Sequence, residues 1–371
     1  MRKISILLVL MVVFTKSMAQ DVPNPITTAT PFLLIAPDAR AGGMGDVGVA
    51  TSPDAYSQHW NASKYAFMPS QFAVGITYTP WLRELTNDVF LGGFSFANKI
   101  DERSAWATSL KYFNLGQIDL TDDFGGDQGT ENLNEFSLDG SYSLKLSESY
   151  AMGVTLRYMR SDLGIKSGNT TLRPVNTFAV DISGYFQSEE AHYGDFNGVW
   201  RGGFNVSNIG PKVSYTDDGN ENFIPTNLKI GGGFDFILDD FNKVSVNLEF
   251  NKLLVPTPNP ENDSNEQNFI GGIFESFGDA PGGFSEELKE FTWGLGGEYM
   301  YDNSFAVRAG YFNESDLKGD RKYFTLGSGF KFKSSRLDIS YLFNASDINN
   351  PLENTLRFSL SFDFGQLFEV Q

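Results

Sequence analysis

From Gln71 to Phe364 apolar and polar residues alternate with a period of two, in segments of roughly ten residues. Between Lys243 and Phe250, the residues Val244, Val246, Leu248 and Phe250 share one face, and Lys243, Ser245, Asn247 and Glu249 share the other. Near the C-terminus Leu356, Phe358, Leu360, Phe362 and Phe364 alternate with Arg357, Ser359, Ser361 and Asp363. Successive strand side chains point to opposite faces, so each segment predicts a strand with an apolar side and a polar side. A strand of about 9–11 residues tilted by about 45° also crosses a bilayer. The pattern therefore raises a membrane barrel.

Fourteen candidate strands can be read, near 71–79, 88–98, 103–113, 133–146, 149–160, 175–187, 200–208, 227–237, 242–252, 290–301, 304–312, 322–333, 336–343 and 354–364. Single-chain bacterial outer-membrane barrels have an even number of strands, short periplasmic turns and longer extracellular loops. The connections alternate in that way. Short ones lie at Asn98–Arg103, Ser147–Glu148, Leu238–Phe241, Asp302–Asn303 and Ser334–Ser335. Long ones lie at Asn114–Asn132, Ser161–Pro174, Ile209–Thr226, Leu253–Lys289, Asn313–Arg321 and Asn344–Glu353, while Pro80–Asn87 is modest and Ser188–Val199 is long for a periplasmic turn. The expected fold is all-β, a 14-stranded antiparallel transmembrane β-barrel of outer-membrane type.

Composition agrees with this reading. Phe (34) and Gly (38) are abundant, and the glycines often fall on strands, as at Gly92-Gly93, Gly202-Gly203, Gly231 to Gly233 and Gly296-Gly297. Strand glycines commonly mark bends or close backbone approach. Inward positions such as Asp139, Lys145, Arg157, Asp181, Lys243, Glu249, Arg357 and Asp363 predict a solvated or ion-paired lumen. Trp106, Trp200 and Trp293 suit interfacial girdles.

Ahead of the barrel, Arg2 and Lys3 precede an apolar run from Ile4 to Phe14, and Ser17-Met18-Ala19 offers small residues for cleavage before Gln20. Residues 1–19 thus read as a secretory signal peptide, too short to anchor. Residues 20–70 lack clean alternation and read as an N-terminal plug or periplasmic segment, leaving 71–371 for the barrel. Ser52-Pro53-Asp54 resembles a helix start leading into Ala55–Trp60. The glycines at 42, 43, 45 and 48 sit in no β-α-β unit and lack a following Lys-Ser/Thr, so a phosphate loop is not indicated.

The formal charge is −18, and removing Arg2, Lys3 and Lys16 with the leader takes it to −21 (−18 − 3). An acidic chain with no basic patch excludes nucleic acid as a partner class. There is no cysteine, hence no lipoprotein anchor, disulfide or thiolate site. Only two histidines occur, His59 in the plug segment and His192 in a predicted periplasmic turn, so an enzyme lacks the material for a triad or zinc site. Asp122-Asp123, Asp217-Asp218 and Glu261–Glu266 are acidic but lack the spacing of a calcium loop. No cofactor or metal is expected.

The stretch ARAGGMGDVGVAT, the step PDAYS and the close WN-x-S-KYAF, followed by YTPWLRELTND from Tyr78 to Asp88, resemble the PorV/PorQ family of type IX secretion, itself FadL-like. The likeness is strongest in residues 37–90. Arg40, Gly42, Gly43, Met44, Gly45, Asp54, Trp60 and Asn61 stand in these stretches as the candidate plug motif. Where FadL-type transporters usually have Asn-Pro-Ala-Gly, this chain has Asn61-Ala62-Ser63-Lys64. The resemblance implies an outer-membrane barrel that meets secreted cargo at the large translocon, recognises its C-terminal signal domain and carries it to a sortase-like attachment complex. Transport of small hydrophobic molecules is the rival expectation. The connection Leu253–Lys289 suits docking: Phe269, Ile270, Ile273, Phe274, Phe277 and Phe284 place apolar surface on an outer loop, either as a contact surface or as a lid over the mouth.

Overall fold

The computed structural model describes residues 23–81, 86, 88–121, 124–164, 166–167, 170–216, 220–259, 268–346 and 354–368. The predicted signal peptide, and the acidic stretches Asp122-Asp123, Asp217-Asp218 and Glu261–Glu266, lie outside the described residues.

Fourteen antiparallel strands close into a barrel. They are β1 Ser70–Pro80, β2 Phe90–Lys99, β3 Ser104–Thr121, β4 Asp127–Lys145, β5 Tyr150–Asp162, β6 Val175–Gln187 and β7 Asn197–Ile209. The second half comprises β8 Asn227–Ile237, β9 Asn242–Leu253, β10 Thr292–Tyr301, β11 Phe305–Asn313, β12 Lys322–Phe332, β13 Ser335–Asn344 and β14 Leu356–Leu367. Each strand pairs with its sequence neighbours, and β1 meets β14 in the register Val74 to Phe362. Closure leaves no edge, which a bilayer demands because it offers backbone groups no hydrogen-bond partner.

The barrel is inside out relative to a water-soluble protein. Ile76, Phe94, Leu138, Leu156, Phe178, Leu248, Leu326 and Leu360 are exposed on its outside, whereas Asp139, Arg157, Asp181, Glu249, Arg308 and Arg357 are buried in its lumen. The two sets occupy alternate positions of the same strands, so the alternation maps directly onto lipid and lumen faces. Trp106 and Trp200 stand exposed near the periplasmic ends of β3 and β7, and Trp293 stands half-buried at the outer end of β10.

Two stretches differ from expectation. Asn114–Asn132, read as a loop, instead continues β3 and β4, which stay paired from Gly116–Leu133 to Thr121–Asp127. Ile118 and Leu120 alternate with Gln117, Asp119 and Thr121 in this ribbon, but the shift at Asn114/Gly116 breaks their phase from that of the strand before it. Register shifts at Asn114/Gly116 and Asp119/Thr121 mark bulges, with Gly116 at φ +84. The helix expected over 55–60 is a single turn, Ser57–Trp60; Asp54 accepts from the amide of Tyr56 at 2.9 Å and so delays the helical start. On the periplasmic side, Ser188–Val199 folds its own small hairpin, Ala191–His192 against Asn197 and Gly198, with Tyr193, Phe196, Trp200, Phe234 and Phe236 in ring contact.

Candidate functional site

The chain before β1 fills the lumen. Its outer end is held among the external loops, where the Asn24 amide donates to Leu317 O at 2.8 Å and that of Ala29 to Phe223 O at 2.8 Å. Phe32 and Leu33 then pack with Trp81, Leu91, Phe113 and Ile224. At the other end Tyr65 and Met68 pack on Ala97, Ala105 and Ala107, and Phe67 packs on Ala151 and Tyr185. The segment therefore runs from the external rim to the periplasmic rim before β1 begins.

Between those apolar ends it is pinned by charge. Asp38 caps the turn Ala39–Gly42 by accepting from Ala41 N at 2.8 Å, and its other oxygen accepts from Trp60 Nε1 at 2.7 Å. Arg40 bridges Asp54 at 2.8 Å and Glu298 at 3.1 Å; Glu298 in turn binds Arg308 at 2.6 Å, and Arg308 binds Asp338 at 2.8 Å. Asp46 pairs with Arg357 at 2.6 Å and accepts from Tyr323 Oη at 2.6 Å. Glu249 accepts the amides of Gly48 and Val49, both at 2.8 Å. Asn61 Nδ2 donates to Val49 O and to Gly184 O on β6, each at 2.9 Å. Elsewhere in the lumen Arg157 bridges Asp139 at 2.8 Å and Asp181 at 3.0 Å. Buried charges are costly unless paired, so these networks fix the segment in one position.

The glycines do steric work. A Cβ on Gly42 would lie 2.3 Å from Arg357 Nη1, and Gly43 faces the Cα of Gly327. Gly45 takes φ +73 and donates its amide to Thr325 Oγ1 at 2.8 Å. Met44 and Gly45 lie directly on Gly294, Gly296 and Gly310 of the wall, where any Cβ would clash with their backbone. Wall and segment thus meet backbone to backbone. All eight candidate plug residues, Arg40, Gly42, Gly43, Met44, Gly45, Asp54, Trp60 and Asn61, are inside the lumen. Asp38, Asp46, Glu298, Arg308 and Asp338, which complete the networks, were not singled out by sequence. Their only signal was a charged residue on the polar phase of a strand, or beside the glycine run.

The connection between β9 and β10 is the second feature. It forms two short helices, Phe269–Glu275 and Phe284–Glu287. Asn268 caps the first by accepting from Gly271 N at 2.7 Å, and Gly272 of that helix lies against Phe223 and Pro256. Lys252 pairs with Glu287 at 2.7 Å and Glu290 at 2.6 Å, while Lys318 pairs with Glu286 at 2.6 Å and Glu290 at 3.0 Å. Burial pushes the Glu286 carboxyl up, but Lys318 and the Gly282 amide outweigh it and hold it below the ordinary value. Burial, with Glu290 and Glu287 nearby, raises that of Asp279. Asp279, Glu287 and Glu290 bring carboxylate oxygens within 4.8 Å of one another, with the two lysines already among them. On this pinned base Ile270, Phe274, Phe277 and Phe284 are exposed, Phe284 to 78%; Phe269 and Ile273 are half-buried.

No curated protein matches the chain. Among solved structures it resembles the Ralstonia pickettii toluene transporter TbuX, at 12% identity over 89% of this chain and 98% of that one, with a TM-score of 0.52. It also resembles a TodX monoaromatic hydrocarbon channel carrying the deltaS2S3 mutation, at 11% identity over 88% and 99%, with a TM-score of 0.53. A Pseudomonas aeruginosa FadL homologue aligns at 11% identity over 93% and 100%, with a TM-score of 0.47. These likenesses concern the fold. The family model described as type IX secretion system protein PorV matches residues 17–260. With more than half of its length matched, this barrel belongs to the PorV family and is an outer-membrane component of the type IX secretion system.

Proposed function

We propose that this barrel is a docking protein. It binds secreted cargo through the cargo's C-terminal signal domain at the large outer-membrane translocon, and it delivers that cargo to the sortase-like attachment complex. The observation that carries this reading is the external platform: Ile270, Phe274, Phe277 and Phe284 are presented to solvent on a base locked by Lys252 and Lys318. Contiguous exposed apolar surface on an ordered loop is characteristic of protein contact sites. The lumenal segment serves in this scheme as a permanent plug, and the barrel works from its outer rim.

The likeness to hydrocarbon channels favours a second reading, passage of small hydrophobic molecules. Against it stands a lumen occupied from rim to rim by an ion-paired segment of the chain.

The test is gentle detergent extraction from native membranes. Replacing Phe274 and Phe284 by Asp should abolish co-purification of the translocon and of cargo bearing C-terminal signals, while the barrel remains heat-modifiable in the membrane. Unchanged complexes would refute the docking surface. A lone barrel carrying bound lipid, even for the unsubstituted protein, would favour transport.

A further inference from the structure

Behind the lumenal segment lies a cavity of about 40 Å³, bounded by Gln58 and His59 on one side and by β1 to β4 on the other. Four polar atoms buried at its walls have no hydrogen-bond partner among the described residues: Tyr56 Oη, Gln58 Nε2, His59 Nε2 and Thr77 Oγ1. Gln58 is held so that its NH₂ is the free end, because its Oε1 accepts from Ser141 Oγ at 2.6 Å and its backbone amide donates to Tyr65 Oη at 2.9 Å. A buried donor left unsatisfied costs about 1–3 kcal/mol, so four around one space call for an occupant.

The free donors select the kind of occupant. Lys111 lines the cavity and donates to Leu33 O at 3.2 Å and to Ile35 O at 2.6 Å. Arg157, Asp139, Lys229 and Arg357 all act on it. Asp139, the one carboxylate in the lining, already accepts from Arg157 Nε at 2.8 Å and Ser109 Oγ at 3.0 Å. The charges acting on His59 are Lys111, Lys229 and Arg157, all positive. An amide NH₂, two hydroxyls, an imidazole able to present Nε2–H and the Lys111 nitrogen thus face one space, and donors outnumber acceptors there.

We infer that this cavity is a binding site for a small oxyanion, a short carboxylate or an inorganic anion of similar size, held by Gln58, His59, Thr77 and Lys111. Such an anion hydrogen-bonds the lumenal segment and the wall together, so binding stabilises the filled barrel. The site is remote from the external platform and does not depend on the docking reading.

The full-length mature protein, purified in detergent, is crystallised with sodium bromide as the only small anion, and its melting temperature is followed against sodium formate. Ionic strength is held constant with an anion too bulky for the cavity. The expected result is one anomalous bromide peak in contact with Gln58 Nε2 and His59 Nε2, and a saturable rise in melting temperature with formate. Gln58→Leu should abolish both, and Thr77→Val, which keeps the shape and removes only the hydroxyl, should weaken formate at least tenfold. If Gln58→Leu does not fold, Thr77→Val decides. Water alone in the cavity, a formate effect unchanged by Thr77→Val, or bromide without a saturable melting shift (an adventitious ion only) would each overturn the assignment.

Discussion

A Cβ built on Gly310 would sit 2.1 Å from the amide nitrogen of Gly45 and as close to the carbonyl carbon of Met44. Both obstacles are backbone, so neither can swing aside as a side-chain end would. Gly310→Val should therefore lower stability by about 1–3 kcal/mol or more, the range for overpacking a tight interior. Gly232→Ala, facing lipid with nothing nearer than Arg201 O at 3.7 Å, should be close to neutral. Urea midpoints of the two variants, read by heat-modifiability, check the contrast. The strand glycines were legible as places of bending or close approach, but not what approaches them. The same holds for the charges. Alternation put Arg157, Asp181, Glu249 and Arg357 on the lumen side, yet Arg40 finds Glu298 across 258 positions of sequence. That pairing depends on where a non-strand segment lies inside the barrel, and period-two alternation is silent about such a segment.

At the scale of elements, the external connection between β9 and β10 holds its shape through a few ion pairs. Lys318→Met would leave Glu286 without its ammonium and Glu290 with Lys252 alone. Limited proteolysis should then cut within residues 268–290, with the barrel itself intact. Acid should act in the same direction. The Glu286 carboxyl lies below its ordinary value of 4.5, so its contribution is fully present above that pH and is lost as pH falls through the lowered value. Protease sensitivity of this connection should rise in acid, and less so in Lys318→Met, where that contribution is already gone. Equal sensitivity of both proteins at every pH would show that Lys318 does not hold the loop. Sequence marked this connection by its length and its phenylalanines. It did not mark the extension of β3 and β4, because the bulge at Asn114/Gly116 interrupts the alternation before it resumes at Ile118 and Leu120.

For the whole molecule, orientation follows from connection lengths, and the absence of cysteine makes it testable on a silent background. Thr27→Cys lies between Asn24 and Ala29, whose amides bind Leu317 and Phe223 in the external loops. Ser147→Cys lies in the short β4–β5 turn. On intact cells a membrane-impermeant maleimide should label the first and spare the second until the outer membrane is opened. The reverse pattern would invert the barrel.

The course of the segment from rim to rim also constrains assembly. The seam where Val74 meets Phe362 joins the first strand to the last, and the chain leading into β1 already lies within the ring that this seam completes. A finished, empty ring would have to admit Arg40, Asp46 and Asp54 one by one past Glu298, Arg308 and Arg357, each unpaired on the way. Circularisation and filling are far easier as a single event, with the N-terminal chain serving as the mandrel on which the last hairpin is wrapped.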